Sequence, residues 1–231
     1  MKQAIFIDID DTLLDFDAYV KQTLQSGFAH FGLKVYKPYM YNVFERINTA
    51  LWHRIEQGAL DFKALGEIRF NLVFEALGIE FDGVRFERYF RDCLWDSAIL
   101  IDGSVQALAY LSEKYVVCAA SNGPFAQQLH RLEIGGLKDY FDACFISEDI
   151  GASKPDKAFF VQALARLNEG REEPILPENC VIIGDSFTSD IAGGKNAGMQ
   201  TIWFNRNHKK NMSGLIPDYE ICTLFEIEKI L

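Results

Sequence analysis

The sequence of 231 residues predicts an α/β fold, with a Rossmann-like parallel-sheet core and an inserted α-helical cap. The first observation is a series of short apolar runs bounded by turn residues, which is typical of buried parallel strands. These runs are Ala4 to Ile9, Tyr115 to Ala120, Ala143 to Ser147, Cys180 to Ile183 and Thr201 to Phe204. The second observation is that segments of helical periodicity lie between the later runs, as in a doubly wound sheet.

A long helical segment interrupts this alternation directly after the first predicted strand. Its breaks at Gly32, Lys37-Pro38, Gly58 and Gly78 indicate about four helices. An alternative interpretation is a set of ordinary crossover helices, but the segment has roughly 80 residues, far more than a crossover between parallel strands requires. We therefore expect residues 15–97 to form a helical cap domain, with residues 1–14 and 98–231 forming the Rossmann-like core.

The composition, the net charge and the N-terminal sequence exclude several classes of protein. A hydrophobic share of 49% is enough for a packed core, and a net charge of −10 argues against binding of a nucleic acid polymer, which needs a basic surface. The first apolar stretch meets Asp8 too early for a signal peptide or a membrane helix, so we expect a cytoplasmic protein without a membrane partner. The five cysteines form no CxxC pair and are expected to be reduced thiols.

Two acidic residues, Asp8 and Asp10, stand at the end of the first predicted strand. The carboxyl ends of strands face the ligand crevice in α/β sheets, and alternate residues of a strand share a face. Two neighbouring carboxylates repel each other unless a cation or a proton intervenes. Mg²⁺ prefers oxygen ligands and would also screen an incoming phosphate. This strand end is therefore a candidate magnesium site.

A second acidic pair follows the predicted strand that ends at Ile183. Asp185 is expected at the carboxyl end of that strand and Asp190 in the first turn of the next helix. Both could face the same metal ion. Alternatively, Asp190 only caps the helix and complements its dipole.

Two other strand ends carry groups that suit phosphate binding. Ser121-Asn122-Gly123-Pro124 supplies a hydroxyl, backbone N–H groups and the N-terminus of a helix, which together suit an oxyanion. Lys154 precedes Pro155 and could bridge a nucleophile and a phosphate. Taken alone, the first motif is only a turn signal and the second is more often a solvated loop.

Together these four blocks resemble the haloacid dehalogenase-like hydrolase superfamily. Their order and the insertion after the first block also match, so the resemblance covers the whole chain. The residues that carry it are the DxDxT motif at Asp8, Asp10 and Thr12, then Ser121, Lys154 before proline, and the GDxxxxD motif with Asp185 and Asp190.

The resemblance implies a magnesium-dependent phosphatase with two catalytic carboxylates. Asp8 would attack phosphorus and form an aspartyl-phosphate, while Asp10 would protonate the leaving alkoxide and then activate the hydrolytic water. The dehalogenases of the superfamily need no acid at the second position, because a halide leaves without a proton. Asp10 therefore favours a phosphatase.

The resemblance also implies the ligands of the two binding sites. A magnesium ion would be held by a carboxylate oxygen of Asp8, the backbone carbonyl of Asp10 and the carboxylate of Asp185, with Asp190 and Thr12 beside these ligands. The phosphoryl oxygens would be held by Ser121, the Asn122 N–H and Lys154.

Segments outside the four blocks look like the bacterial pyrimidine 5′-nucleotidase branch, which implies a nucleoside monophosphate as substrate. In the predicted cap, Trp52 and His53 could contact the base by stacking or hydrogen bonding, unless their helix simply buries Trp52. The matching segments are Asn48 to Trp52 with Gln57 to Leu60, Ile146 to Gly151, and Asp190 to Gly198 with Trp203 to Asn205.

Two alternatives stay open. The same core chemistry could act on phosphoglycolate or a sugar phosphate, because the cap sets selectivity while the core sees only the phosphoryl group. A non-catalytic module that binds a phosphate ligand is the second alternative, and the complete catalytic set argues against it.

Overall fold

The computed structural model describes residues 2–211 and 214–231. The chain divides into two compact units. The residues up to Asp15 and Ala98–Leu231 form the first, here called the core unit, and Phe16–Ser97 form the second, called the helical unit.

The helical unit, which is described in full, contains four helices: α1 (Phe16–His30), α2 (Tyr39–Glu56), α3 (Phe62–Leu77) and α4 (Gly83–Trp95). Local sequence explains their ends. The side chain of Asp61 accepts the Ala64 N–H at the start of α3, and Gly78 ends that helix in the left-handed conformation.

An aromatic core fills the helical unit. Six of its phenylalanines are at most 1% exposed: Phe28, Phe44, Phe70, Phe74, Phe86 and Phe90. The core also contains a buried ion pair, in which Arg69 Nη2 lies 2.6 Å from Glu87 Oε1 and Nε lies 3.0 Å from Oε2. The guanidinium of Arg69 lies 4.7 Å from the centre of the Phe90 ring and also donates to Asn48 Oδ1.

Across the described residues of the core unit, six parallel strands form one sheet. In chain order they are β1 (Ala4–Ile7), β2 (Val116–Ser121), β3 (Ala143–Ile146), β4 (Cys180–Gly184), β5 (Gln200–Phe204) and β6 (Tyr219–Ile221). Their order in space is β3-β2-β1-β4-β5-β6, so β1 lies between β2 and β4. The predicted α/β fold is confirmed, and β6 is the one strand of this sheet that the apolar runs did not predict.

Both faces of the sheet are buried. Ile5 and Ile7 of β1 pack in one apolar cluster, whereas Ala4 and Phe6, which point to the other face, pack in a second. This two-sided burial is why the strands are continuous apolar runs rather than alternating ones.

Five α-helices accompany these strands in the described part of the core unit. They are α5 (Ser104–Ser112), α6 (Phe125–Ile134), α7 (Ser147–Ile150), α8 (Lys157–Leu167) and α9 (Ala192–Ala197). A π-helical turn, Phe187–Ile191, precedes α9. No helix among residues 2–211 and 214–231 combines the length and apolarity needed to cross a bilayer.

Candidate active site

Asp8 lies at the carboxyl end of the central strand. It follows β1 directly, and its N–H continues the pairing with β4 by donating to the Ile183 carbonyl at 2.9 Å. The side chain is buried, and its Oδ1 accepts a hydrogen bond from Lys154 Nζ at 2.7 Å. The hydroxyl of Thr12 lies 3.5 Å from the other carboxylate oxygen.

Lys154 is a buried ammonium at the centre of the site. Its Nζ donates to Asp8 Oδ1 at 2.7 Å, to Asp190 Oδ1 at 2.6 Å and to the Ala120 carbonyl at 2.5 Å, so all three of its protons are used. Burial alone would lower the pKa of this ammonium. The negative charges of Asp190 and Asp8 have a larger combined effect in the opposite direction, so the pKa of Lys154 is raised. The interpretation of Lys154 as a solvated loop residue is wrong, since only 1% of it is exposed.

Asn122 fixes the backbone of Lys154. Its side-chain Oδ1 accepts the Lys154 N–H at 2.9 Å, and its Nδ2 donates to the Lys154 carbonyl at 2.9 Å. The end of β2 thereby holds the segment that presents the ammonium.

Asp185 and Asp190 follow β4. The N–H of Asp185 donates to Thr12 Oγ1 at 3.1 Å, which links the first and last acidic blocks of the sequence. Asp190 is fully buried, and its Oδ2 accepts the Ser186 N–H at 3.1 Å while its Oδ1 faces Lys154. As predicted, Asp190 lies in the first turn of the helix that follows β4; this turn is π-helical, Phe187–Ile191, and precedes α9.

The carboxylates of Asp8, Asp185 and Asp190 form an oxygen cluster that suits a cation. One oxygen of each lies within 4.8 Å of the others. Asp190 has both oxygens engaged, by Lys154 and by the Ser186 N–H, so Asp8 and Asp185 are the carboxylates best placed to bind an ion.

The electrostatics of the cluster also fit a cation. Burial is the main cause that raises the pKa of Asp8 to about 7, against the lowering effect of Lys154 and with a further rise from Asp190. Burial, followed by the charges of Asp11 and Asp8, raises the pKa of Asp185 well above its usual value. A divalent cation bound to these oxygens would stabilise the ionised forms of Asp8 and Asp185 and so counteract both pKa increases. Because all the donors are oxygens, the set fits Mg²⁺.

Asp10 lies apart from this cluster and contacts α6. Gln128 Nε2 donates to its Oδ2 at 2.8 Å, and Arg131 Nη1 donates to its Oδ1 at 2.7 Å. Gln128 Nε2 also lies 2.8 Å from Ser121 Oγ. Neither Gln128 nor Arg131 was among the residues predicted from the sequence. Their signal was their spacing of one turn on the helix that begins directly after Ser121-Asn122-Gly123-Pro124.

Two of the N–H groups expected to receive a phosphate are already engaged. The Gly123 N–H donates to Ser147 Oγ at 3.0 Å, and the Phe125 N–H donates to Glu148 Oε2 at 2.8 Å. The expectation that the whole turn and the N-terminus of α6 form the oxyanion site is therefore too broad. The side chains that follow β3 compete for these donors, which the sequence of the turn alone does not reveal.

Trp52 and His53 lie on α2 of the helical unit, and both are half-buried. The Trp52 ring lies 6.0 Å from the Phe62 ring, and His53 Nδ1 lies 3.1 Å from Glu56 Oε2, one turn further along the helix. A role for these two side chains in binding a base stays a prediction.

Hydrogen bonds connect the predicted residues of the core unit at the carboxyl ends of β1, β2 and β4. Lys154 is hydrogen-bonded to Asp8, Asp190 and Asn122. Gln128 is hydrogen-bonded to Asp10 and Ser121. Thr12, in the first acidic block, accepts a hydrogen bond from Asp185 in the last.

Comparisons with known proteins identify the family. A family model of haloacid dehalogenase-like hydrolases matches residues 2–198. The pyrimidine 5′-nucleotidase PynA of Streptococcus pneumoniae is 35% identical over 94% of this chain and 90% of its own, and the pyrimidine 5′-nucleotidase YjjG of Escherichia coli is 31% identical over 98% and 96%. The crystal structure of the HAD-hydrolase YfnB from Bacillus subtilis, bound to magnesium, superposes with a TM-score of 0.90 at 33% identity and covers 100% of this chain and 98% of that one.

The expected resemblance to this superfamily and to its pyrimidine 5′-nucleotidase branch is confirmed by these matches. The match covers the DxDxT block, Ser121, Lys154 and both acidic residues after β4. The chain is therefore an enzyme of the haloacid dehalogenase-like hydrolase family.

Proposed function

We propose that this enzyme is a magnesium-dependent phosphatase that hydrolyses a pyrimidine nucleoside 5′-monophosphate through an intermediate on Asp8. The observation that carries the proposal is the buried contact between Asp8 and the Lys154 ammonium, with the carboxylate of Asp185 nearby. The names of the relatives PynA and YjjG support the substrate class.

In the first half of the proposed reaction, a carboxylate oxygen of Asp8 attacks phosphorus and the bond from phosphorus to the ester oxygen breaks. The carboxyl of Asp10 gives its proton to the departing oxygen, so the nucleoside leaves as an alcohol. Asp8 is suited to attack because its neighbours hold it at one place: Lys154 binds one oxygen and the Thr12 hydroxyl lies near the other.

In the second half, the ionised Asp10 takes a proton from water, and the oxygen of that water attacks phosphorus. The bond between phosphorus and the Asp8 oxygen breaks, which regenerates the Asp8 carboxylate and releases phosphate. The Asp10 side chain is 31% exposed, so water can reach it.

Three groups are proposed to hold the phosphoryl oxygens: the Ser121 hydroxyl, the Asn122 N–H and the Lys154 ammonium, which would exchange one of its three present hydrogen bonds for a phosphoryl oxygen. Ser121 Oγ already accepts from Gln128, and its own O–H has only a 3.4 Å contact with the Asn122 carbonyl. The hydroxyl proton is therefore the group that remains to donate to a phosphoryl oxygen.

We propose that Asp8, Asp185 and the backbone carbonyl of Asp10 hold the magnesium ion, and that Asp190 and Thr12 fix these ligands from beside them. When bound, the ion would neutralise the carboxylates and the phosphate charge that meet here. Asp190 keeps Lys154 in place, and Thr12 holds the backbone of Asp185.

The helical unit is proposed to be the cap that selects the leaving group, with Trp52 and His53 as the contacts of the base. An aromatic ring and an imidazole suit stacking and hydrogen bonding to a pyrimidine. We expect Trp52→Ala to raise KM for nucleotides while leaving hydrolysis of p-nitrophenyl phosphate unchanged within about threefold. Equal effects on both substrates would argue against a base contact.

The main experiment measures phosphate release from a panel of esters by the purified chain with and without magnesium. We expect pyrimidine nucleoside 5′-monophosphates to be preferred over phosphoglycolate and sugar phosphates, and Asp8→Asn to remove turnover. Asp139→Asn, which changes an exposed carboxylate of the same unit, is the matched control.

Two results would contradict the proposal. Retained turnover in Asp8→Asn would end the mechanism, and preference for a sugar phosphate would end the nucleotide assignment. Tight binding of a phosphate ester without hydrolysis would favour the non-catalytic module instead.

A further inference from the structure

We propose that Gln128 and Arg131 are positioning residues that set the direction of the Asp10 carboxyl for proton transfer to the leaving group. The inference depends on the proposed phosphatase chemistry but on no particular substrate. It assigns a function to two buried polar side chains that none of the four sequence blocks contains.

Both oxygens of Asp10 are held from one helix. Gln128 Nε2 reaches Oδ2 at 2.8 Å and Arg131 Nη1 reaches Oδ1 at 2.7 Å. Residues three apart on a helix lie on the same face, so α6 presents the two donors as a pair. A carboxyl held at both oxygens cannot rotate about its side-chain bonds without breaking a hydrogen bond, and its direction is therefore fixed.

The two donors also hold each other. Arg131 Nη1 donates to Gln128 Oε1 at 2.9 Å, which fixes the amide of Gln128 so that its nitrogen faces Asp10. Arg131 is 1% exposed and Gln128 is 2% exposed, so both side chains are ordered by packing as well. A buried guanidinium needs an anionic or polar partner, and here its anion is the carboxylate two residues after the nucleophile.

Gln128 contacts both the proposed proton-transfer group, Asp10, and a proposed phosphate-binding group, Ser121. The same Nε2 that donates to Asp10 lies 2.8 Å from Ser121 Oγ, the group proposed to bind a phosphoryl oxygen. One amide therefore sets the position of the proton-transfer group relative to the phosphoryl group. Misplacement of that group should harm the step in which the ester oxygen departs more than it harms phosphate binding.

The test compares two leaving groups. An alkyl phosphate needs a proton on its departing oxygen, whereas the p-nitrophenolate of p-nitrophenyl phosphate leaves without one. The readout is kcat/KM, which reports the steps up to the departure of the leaving group. The alkyl ester is whichever one the wild-type enzyme hydrolyses fastest.

We expect Arg131→Met and Gln128→Leu to lower kcat/KM for the alkyl ester by on the order of 100-fold, which lies in the range of general acid catalysis. For the nitrophenyl ester we expect kcat/KM to fall by less than about threefold. Arg131→Lys, which can still donate to Asp10, should recover part of the loss. Glu133→Gln, an exposed change on the same helix, is the control and should leave both values unchanged. Circular dichroism and thermal unfolding establish that each variant is folded.

The outcomes separate this inference from the proposed function. Equal losses on both esters, or no loss on the alkyl ester in folded Gln128→Leu and folded Arg131→Met, would overturn the positioning role. A wild-type enzyme that hydrolyses neither ester with magnesium would instead overturn the phosphatase assignment. A preference for sugar phosphates over nucleotides would leave the leaving-group test valid.

Discussion

Asp190 packs directly against the backbone of Gly184, so closely that a Cβ atom at position 184 would lie 2.2 Å from Asp190 Cγ. No side chain fits there without displacement of the carboxylate. Glycine at the end of β4 is therefore required by the contact between Asp190 and Lys154 rather than by a turn.

We expect Gly184→Ala to displace Asp190 and, through Lys154, to misplace Asp8, the proposed nucleophile. A shift of about 1 Å in such a site costs on the order of 100-fold in kcat, and overpacking should lower the free energy of unfolding by about 1–3 kcal/mol. Steady-state kinetics and urea unfolding measure the two effects. Gly66→Ala is the matched control, because a Cβ there meets its nearest neighbour at 3.7 Å, an ordinary contact. If Gly184→Ala had the kcat of the wild type, the contact between Asp190 and Lys154 would not be needed for activity.

Asp185→Asn should separate metal binding from folding. Burial and neighbouring charges disfavour the ionised form of Asp185, so the neutral variant should unfold at the same temperature as the wild type, or higher, when no metal is present. With magnesium in large excess we expect the wild type to gain on the order of 5 °C and the variant to gain nothing. Differential scanning fluorimetry with and without EDTA checks this. An equal rise in both proteins would place the ion elsewhere.

If magnesium binds as proposed, the rise in unfolding temperature that it causes should grow with pH. The folded pKa of Asp8, about 7, lies above its usual value of 3.8. In the metal-free protein, the contribution of protonated Asp8 to the free energy of unfolding is therefore fully present below about pH 4. That contribution is lost as the pH rises through about 7. Because magnesium competes with the proton, we expect a larger increase of the unfolding temperature at pH 8 than at pH 6. A rise that does not change with pH would contradict this account.

The sequence predicted the sheet and its strand ends well, because apolar runs mark buried strands and the acidic and hydroxyl residues follow them directly. It could not predict β6, whose residues Tyr219 and Glu220 are exposed and form no apolar run. The network around Asp10 was also missed. Gln128 and Arg131 stand on a helix, where polar residues are ordinarily solvated, and only the tertiary structure buries them.

The ion pair of Arg69 and Glu87 gives a test of stability in the helical unit. We expect Arg69→Met alone to lower the free energy of unfolding by about 3–5 kcal/mol, since it leaves the Glu87 carboxylate buried and unpaired. The double variant Arg69→Met with Glu87→Leu should recover most of that loss, because both charges are gone. Denaturant unfolding measures the three proteins. A double variant as unstable as the single one would contradict the explanation by desolvation.

The cysteines of the sheet should react slowly with alkylating reagents. All five cysteines, each in the described part of the chain, are free thiols. Burial raises the pKa of Cys144 to about 11 and that of Cys180 to about 12, so little thiolate exists at neutral pH. We expect iodoacetamide at pH 7.5 to leave Cys144 and Cys180 unmodified in the native protein and to modify them in urea, as measured by mass spectrometry. Rapid labelling of the native protein would contradict this burial.

The central position of β1 has a consequence for biosynthesis. This strand leaves the ribosome before its partners β2 and β4, which begin at Val116 and Cys180. Its apolar residues therefore stay unpaired while more than a hundred further residues are translated, whereas the helices of Phe16–Ser97 are complete early and depend on contacts close in sequence. The nascent chain exposes an unsatisfied strand throughout that interval, which is the period in which chaperone binding would protect it from aggregation.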